Sequence, residues 1–139
     1  VFDYLKPGGI FYIAEIHPFA LIFDDEGEIE TLKARYDYFN SDVQKFESAT
    51  AYADLTARLK HGTEYEWQHG LGEIVSVLIK AGLTIEFLHE FEFGCYPMFQ
   101  GMTEREDGMW VLPAEFPRIP LIFTLKAKKP EERGSSMAA

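Results

Sequence analysis

The run Ile10-Phe11-Tyr12-Ile13-Ala14-Glu15-Ile16, launched by Pro7-Gly8-Gly9, constrains the fold more than any other part of the chain. Proline presets one backbone dihedral and glycine enters regions closed to other residues, so Pro7-Gly8-Gly9 marks a turn. The residues after it are nearly all apolar at both alternating positions. A strand of that kind calls for cover on both faces, as in the middle of a parallel sheet. Pro18 restrains His17 to extended geometry and ends the strand there. Cover is scarce in the rest of the chain. Leu71, Ile74, Val75, Leu78 and Ile79 fall on one stripe and predict a helix over 70–81, with Gly70 a weak N-cap, Glu73 in the first turn and Gly82 as the stop. Leu83, Ile85 and Phe87 then alternate with Thr84 and Glu86, and Phe91 and Phe93 with Glu90 and Glu92, which predicts a half-solvated strand at a sheet edge. The last strand is expected over Ile119 to Ala127, with Leu121, Phe123 and Leu125 on one face. Three strands and one helix do not cover both faces of the first strand. The pattern therefore places Ile10 to Ile16 at the centre of a larger sheet, buries Tyr12, and predicts that sheet or cover comes from outside the chain, by self-association or from another polypeptide segment.

The remaining segments carry weaker signals. Residues 20–66 begin with an acidic stretch around Gly27, suggest a short strand over Ile29 to Tyr36, and continue through Tyr52 and Asp54 as loop or broken helix. A connection this long inside a compact fold implies a lid, a binding loop or an extra hairpin. Residues 94–118 read as an irregular aromatic connection. From Lys128 the periodicity fades, and 128–139 is expected to be a flexible tail. The first residues, without an initiator Met, read as the end of a helix begun earlier.

Composition removes several function classes. A chain of 139 residues with 47% hydrophobic and 15% aromatic side chains is unlike a disordered one. Its formal charge of -10 argues against a surface built for nucleic acid or an anionic membrane, leaving small-molecule or local RNA contact open. The apolar runs fall short of the roughly 18 residues of a spanning helix, and no signal-like segment appears, so a soluble, cytoplasmic chain is expected. Cys95 is alone, which excludes an internal disulfide and a cysteine zinc cluster. His17, His61, His69 and His89 lack zinc-ligand spacing, and the acidic stretch fails the calcium-loop pattern, so no metal site is expected.

The sequence Leu5-Lys6-Pro7-Gly8-Gly9 before Ile10 to Ile16, the segment Tyr65-Glu66-Trp67-Gln68-His69-Gly70-Leu71-Gly72-Glu73-Ile74, and the later Ala81-Gly82-Leu83 and Glu86 to Phe91 together resemble the second half of a class I S-adenosylmethionine-dependent methyltransferase of a small-molecule subgroup. The resemblance covers residues 1–127. It implies an α/β fold, the C-terminal portion of a Rossmann-like seven-stranded sheet with parallel and antiparallel strands, with 20–66 as a substrate-side excursion. It also implies a small-molecule methyl acceptor, and S-adenosylmethionine as cofactor of the complete protein. In that family the glycine-rich loop and the acidic residue that hold the cofactor lie ahead of the LKPGG turn. Gly8-Gly9 lead into a strand instead of joining a strand to a helix, so they do not substitute. The isolated chain is therefore expected to be inactive and to bind no cofactor, its partner being a missing N-terminal half or a second copy. Related chains often carry serine, a better N-cap, where Gly70 stands.

Methyl transfer needs the acceptor atom in line with the methyl group, and a base only where the acceptor must lose a proton. His17, at the end of the first strand, is a candidate base or binding residue; the alternative is a histidine that anchors the turn. His69 is the second catalytic candidate, with Glu66 able to orient it and Trp67 able to wall an acceptor; capping and packing are the alternatives. Glu15 shares strand parity with His17, so it binds a polar acceptor, orients that histidine, or emerges into solvent. Tyr36, Tyr38 and Phe39 cover a substrate or close the core of the excursion. The competing reading of the whole chain is a non-catalytic ligand-binding or self-associating α/β module.

Overall fold

A computed structural model describes residues 1–24, 31–39, 42–47, 50–51, 54–58 and 60–131. In chain order the elements are strand β1 (Ile10–Ile16), β2 (Gln44–Glu47), β3 (Thr50–Ala51), β4 (Asp54–Arg58), β5 (Thr63–Glu66), helix α1 (Leu71–Lys80), β6 (Thr84–Phe91), β7 (Phe93–Gly94), β8 (Thr103–Glu104), β9 (Trp110–Val111) and β10 (Ile122–Lys128). The main sheet has the order β1-β10-β6. β10 is antiparallel to both neighbours, from Ile10 opposite Lys128 to Ile16 opposite Ile122 on one side, and from Ile122 opposite Phe91 to Lys128 opposite Thr84 on the other. β1 and β6 therefore run parallel, separated by the last strand.

β10 takes the middle because its alternation is the cleanest in the chain. Phe123, Leu125 and Ala127 are buried with at most 1% of their surface exposed, on the face that meets Leu78 of α1 and Leu83. Each large side chain so buried contributes about 1.5–3 kcal/mol. Phe11, Ile13 and Ile85 extend this face from the flanking strands, and Ile74 and Val75 close it from the helix.

By itself the chain leaves the strand expected at the centre of a larger sheet with one open edge. Within the described residues β1 is an edge, and Ile10 and Tyr12 are 54% and 56% exposed. The reason is that α1 covers one face of the sheet, while the opposite face carries Tyr12, Phe87, His89 and Phe91 and lies largely open. The rings there pack on one another instead: Tyr12 meets Phe87 edge-on at 6.2 Å, Phe87 stacks on His89 at 4.5 Å, and His89 meets Phe91 at 6.2 Å.

Residues 42–66 also differ from the expected loop or broken helix. β2 pairs antiparallel with β5, and β3 with β4, so one hairpin nests inside another. Gln44-Lys45-Phe46-Glu47 and Thr63-Glu64-Tyr65-Glu66 are too polar to show a strand stripe, and backbone pairing holds them. Of the strand expected over Ile29 to Tyr36, residues 29–30 lie outside the described residues, and 31–36 hold only a bridge between Phe23 and Ala34. The segment 94–118 contains β7, β9 and β8 as a small sheet beside a second apolar cluster of Ala20, Phe99, Met102 and Leu121.

Of the residues expected to form a tail, 128 and 129 are held in the fold. Lys128 belongs to β10, and the Lys129 ammonium donates to the Phe2 and Leu5 carbonyls at 3.0 and 2.9 Å while lying 4.1 Å from the Phe2 ring centroid. Residues 132–139 lie outside the described residues.

The helix start explains Gly70. The Tyr38 hydroxyl accepts a hydrogen bond from the Leu71 N–H at 3.0 Å, supplying the cap that Gly70 lacks. A Cβ on Gly70 would lie 3.0 Å from the Tyr38 ring, so the small residue makes room for the distant cap. At the other end Gly82 has φ +92°, a left-handed conformation that suits glycine, and the Leu83 N–H returns to the Leu78 carbonyl at 3.1 Å.

Two outcomes follow for stability, both measured by urea denaturation. Leu125→Ala is expected to cost about 2–5 kcal/mol, whereas Tyr12→Lys on the open face costs less than about 1.5 kcal/mol in a monomeric sample. Gly70→Ser is expected to destabilise by about 1 kcal/mol through crowding of Tyr38, and to lose that penalty in a Tyr38→Ala background, giving a coupling of about 1 kcal/mol in the double-mutant cycle.

Candidate functional site

β1 ends at Ile16, and the chain turns sharply over His17-Pro18. His17 is 4% exposed, and both its ring nitrogens are engaged. Nδ1 accepts the Phe19 N–H at 3.0 Å, which leaves the proton on Nε2, facing Glu90 Oε1 at 2.8 Å. The imidazole also meets the Phe123 ring edge-on at 6.0 Å, and the His17 N–H donates to the Leu121 carbonyl at 2.9 Å. His17 thus ties the end of β1 to β6 and to the start of β10. Pro18 is buried too, and its carbonyl accepts from the Gln68 side chain at 3.1 Å, which fastens the approach to α1 onto the same turn.

The short helical turn Ala20–Ile22 that follows supplies the floor of a cavity of about 440 Å³. Ile16 enters from the open face of β1, with Ala20, Leu21 and Phe23 beside it. Tyr96, Met98 and Phe99 form one wall, where Phe99 belongs to the second apolar cluster. Tyr36 and Trp67 form aromatic surface on the other side, and Trp67 is 61% exposed. The Arg35 and Tyr36 N–H groups both donate to the Ile22 carbonyl, at 2.8 and 3.0 Å, so the excursion is held against the floor.

The polar rim comes from the β2–β5 hairpin. Gln44 pairs with Glu66 across the strands, and Glu64 lies two residues before Glu66 on the same strand face. Glu47 also lines the cavity but is already engaged: Lys45 lies 2.7 Å from its Oε1, and the Thr63 hydroxyl donates to both oxygens at 3.2 and 3.1 Å. The Lys45 hydrogen bond, then that of Thr63, holds the Glu47 carboxyl below the usual glutamate range.

Of the residues singled out from the sequence, the structure brings Tyr36, Glu66 and Trp67 together in this cavity. Tyr38 caps α1 instead, and Phe39 is 91% exposed with its ring edge-on to Tyr38. His69 pairs with Glu73 at 3.1 Å on the helix surface, not with Glu66. Glu15 is exposed opposite Phe123, and the carboxylate that meets His17 is Glu90, remote in sequence. Gln44, Glu64, Gln68 and the Tyr96 to Phe99 wall were not singled out. The alternating Glu64 and Glu66 immediately before Trp67 are the signal that marks Glu64. Among the described residues no group of His, Cys, Asp and Glu is arranged to hold a metal ion, and no helix is long and apolar enough to cross a membrane.

No protein-family model matches the chain, and no curated protein matches it. Among solved structures, a crystal structure described as a "putative S-adenosylmethionine dependent methyltransferase" from Listeria monocytogenes matches with a TM-score of 0.51 and 20% identity, covering 94% of this chain and 52% of that one. The chain spans about half the length of that structure. At this identity the likeness is one of fold: this chain has a mixed α/β fold similar to that of a structure described as a methyltransferase.

Proposed function

We propose that this chain supplies the acceptor cavity and part of the sheet of an S-adenosylmethionine-dependent methyltransferase acting on a small molecule. The observation that carries the reading is the cavity of about 440 Å³ at the end of β1, in a fold similar to that methyltransferase structure. Open α/β sheets place ligands outside the carboxyl ends of their parallel strands, and Ile16 and the turn after it stand at that end of β1. The size suits a small ligand.

The Gly8-Gly9 pair does not fit the cofactor itself. The Gly8 N–H donates to the Lys129 carbonyl and the Gly9 N–H to the Lys6 carbonyl, so this glycine pair is used up in closing the turn before β1. The cofactor, which supplies the methyl group, would be held by a part of the longer protein that precedes this chain. What these residues do is bind and orient the acceptor: Tyr36 and Trp67 shield it from water, and Glu66 offers a hydrogen-bond acceptor. His17 is a positioning residue in this reading, since its two nitrogens hold the turn that carries the cavity floor. The free edge of β1 is where further strands would add, from that preceding part or from a second copy.

Isothermal titration of the isolated chain with S-adenosylmethionine is expected to show no saturable binding, while a longer protein containing it transfers labelled methyl from the cofactor to a small molecule. Saturable micromolar binding by the isolated chain would contradict the assignment. In the longer protein His17→Asn is expected to raise KM and lower thermal stability with the pH profile of kcat unchanged. A flattened profile would make His17 a base.

A further inference from the structure

We infer that the cavity beside Trp67 is built for a small organic ammonium ion. The inference rests on the acceptor reading only for the ligand's role; the ligand's chemistry follows from the lining. Aromatic surface is presented by Trp67, with Tyr96 and Tyr36 beside it and the Arg35 guanidinium 5.3 Å from the Tyr36 ring centroid, and carboxylates by Glu64 and Glu66. Among the described residues, no lysine, arginine or histidine lines the cavity. The nearby Lys45 is committed to Glu47, which leaves that local pair close to neutral and the charge of Glu64 and Glu66 uncompensated by it. Arg35, over the Tyr36 ring, is paired with Asp24 at 2.9 Å, so an anionic ligand would meet two carboxylates and, among the described lining residues, no cation. A neutral ligand would leave their field unused.

A cationic nitrogen with attached methylene or methyl groups satisfies both halves of the lining. The faces of tryptophan and tyrosine carry partial negative charge and attract a cation, most of all a weakly hydrated alkylammonium. The carboxylates on alternate positions of β5, about 6–7 Å apart along the strand, add long-range attraction. The position of Trp67 agrees. Its indole is 61% exposed at the rim of a cavity whose wall residue Phe99 is buried, so its face is accessible to a bound ligand.

The probe is choline chloride, titrated calorimetrically into the full chain at fixed total chloride, with 3,3-dimethylbutan-1-ol as the neutral isostere. The expected result is saturable binding of choline at least about tenfold tighter than that of the alcohol, reduced about fivefold or more in Glu64→Gln/Glu66→Gln and in Trp67→Leu. Circular dichroism and the thermal midpoint should show both variants folded, and Lys45→Met, in which the Glu47 charge is freed, should bind choline no more weakly than the native chain. Equal affinity for the alcohol, absence of saturable choline binding, or binding indifferent to the double substitution would overturn the inference. The two readings fail separately. Choline binding alongside a longer protein that transfers no methyl group would leave this inference standing and remove the proposed function; methyl transfer confined to acidic or neutral acceptors would do the reverse.

Discussion

The pairing of β10 with strands on both sides is the constraint on which the rest of the structure depends. It brings the first and last strands of the described residues together. It also sets β1 and β6 parallel at a distance neither could hold alone. The buried side chains of β10 supply the surface on which α1 packs, and Leu121, just before the strand, passes into the second apolar cluster. One strand therefore links the helix-covered layer to the region where the cavity forms.

The cavity is a consequence of how that sheet ends. His17 leaves β1 and is caught at once by Glu90 of β6 and by the Leu121 carbonyl just before β10, so the turn is fixed to all three strands of the main sheet. Ala20, 1% exposed, is then driven into the cluster with Phe99 and Met102. The polar hairpin β2–β5 contributes little apolar cover of its own in the residues described, and its side chains line the opening instead. Rigid floor and polar rim thus come from different parts of the chain, and the rim is free to set ligand chemistry without disturbing the core.

The parts of the fold legible in the sequence are those whose periodicity coincides with burial. The α1 stripe and the Leu121-Phe123-Leu125 alternation are of this kind, although Ile79 of the stripe is exposed and the strand begins at Ile122 instead of Ile119. In β1 periodicity and burial part for a definite reason. Apolar residues at nearly every position signal that both faces are suited to cover, but say nothing about whether this chain supplies that cover, and here only α1 does. The nested hairpins were invisible because Gln44 to Glu47 and Thr63 to Glu66 are stabilised by backbone pairing with polar side chains. At the site, Tyr36, Glu66 and Trp67 could be singled out as aromatic and acidic residues in an unexplained connection. Tyr38 could not be recognised as a helix cap, since the bond to Leu71 spans 33 residues, and neither could the Glu90 partner of His17, 73 residues away.

The most direct test of this account is residue-resolved amide hydrogen exchange by NMR, on a sample shown by light scattering to be monomeric. The account predicts that β10 amides are the slowest in the molecule, because the strand is bonded on both sides, and that protection in β1 alternates, every second amide facing β10 and the others the free edge. Uniformly slow exchange along Ile10 to Ile16 with fast exchange in Ile122 to Lys128 would contradict it, since β1 would then be the interior strand and β10 the edge.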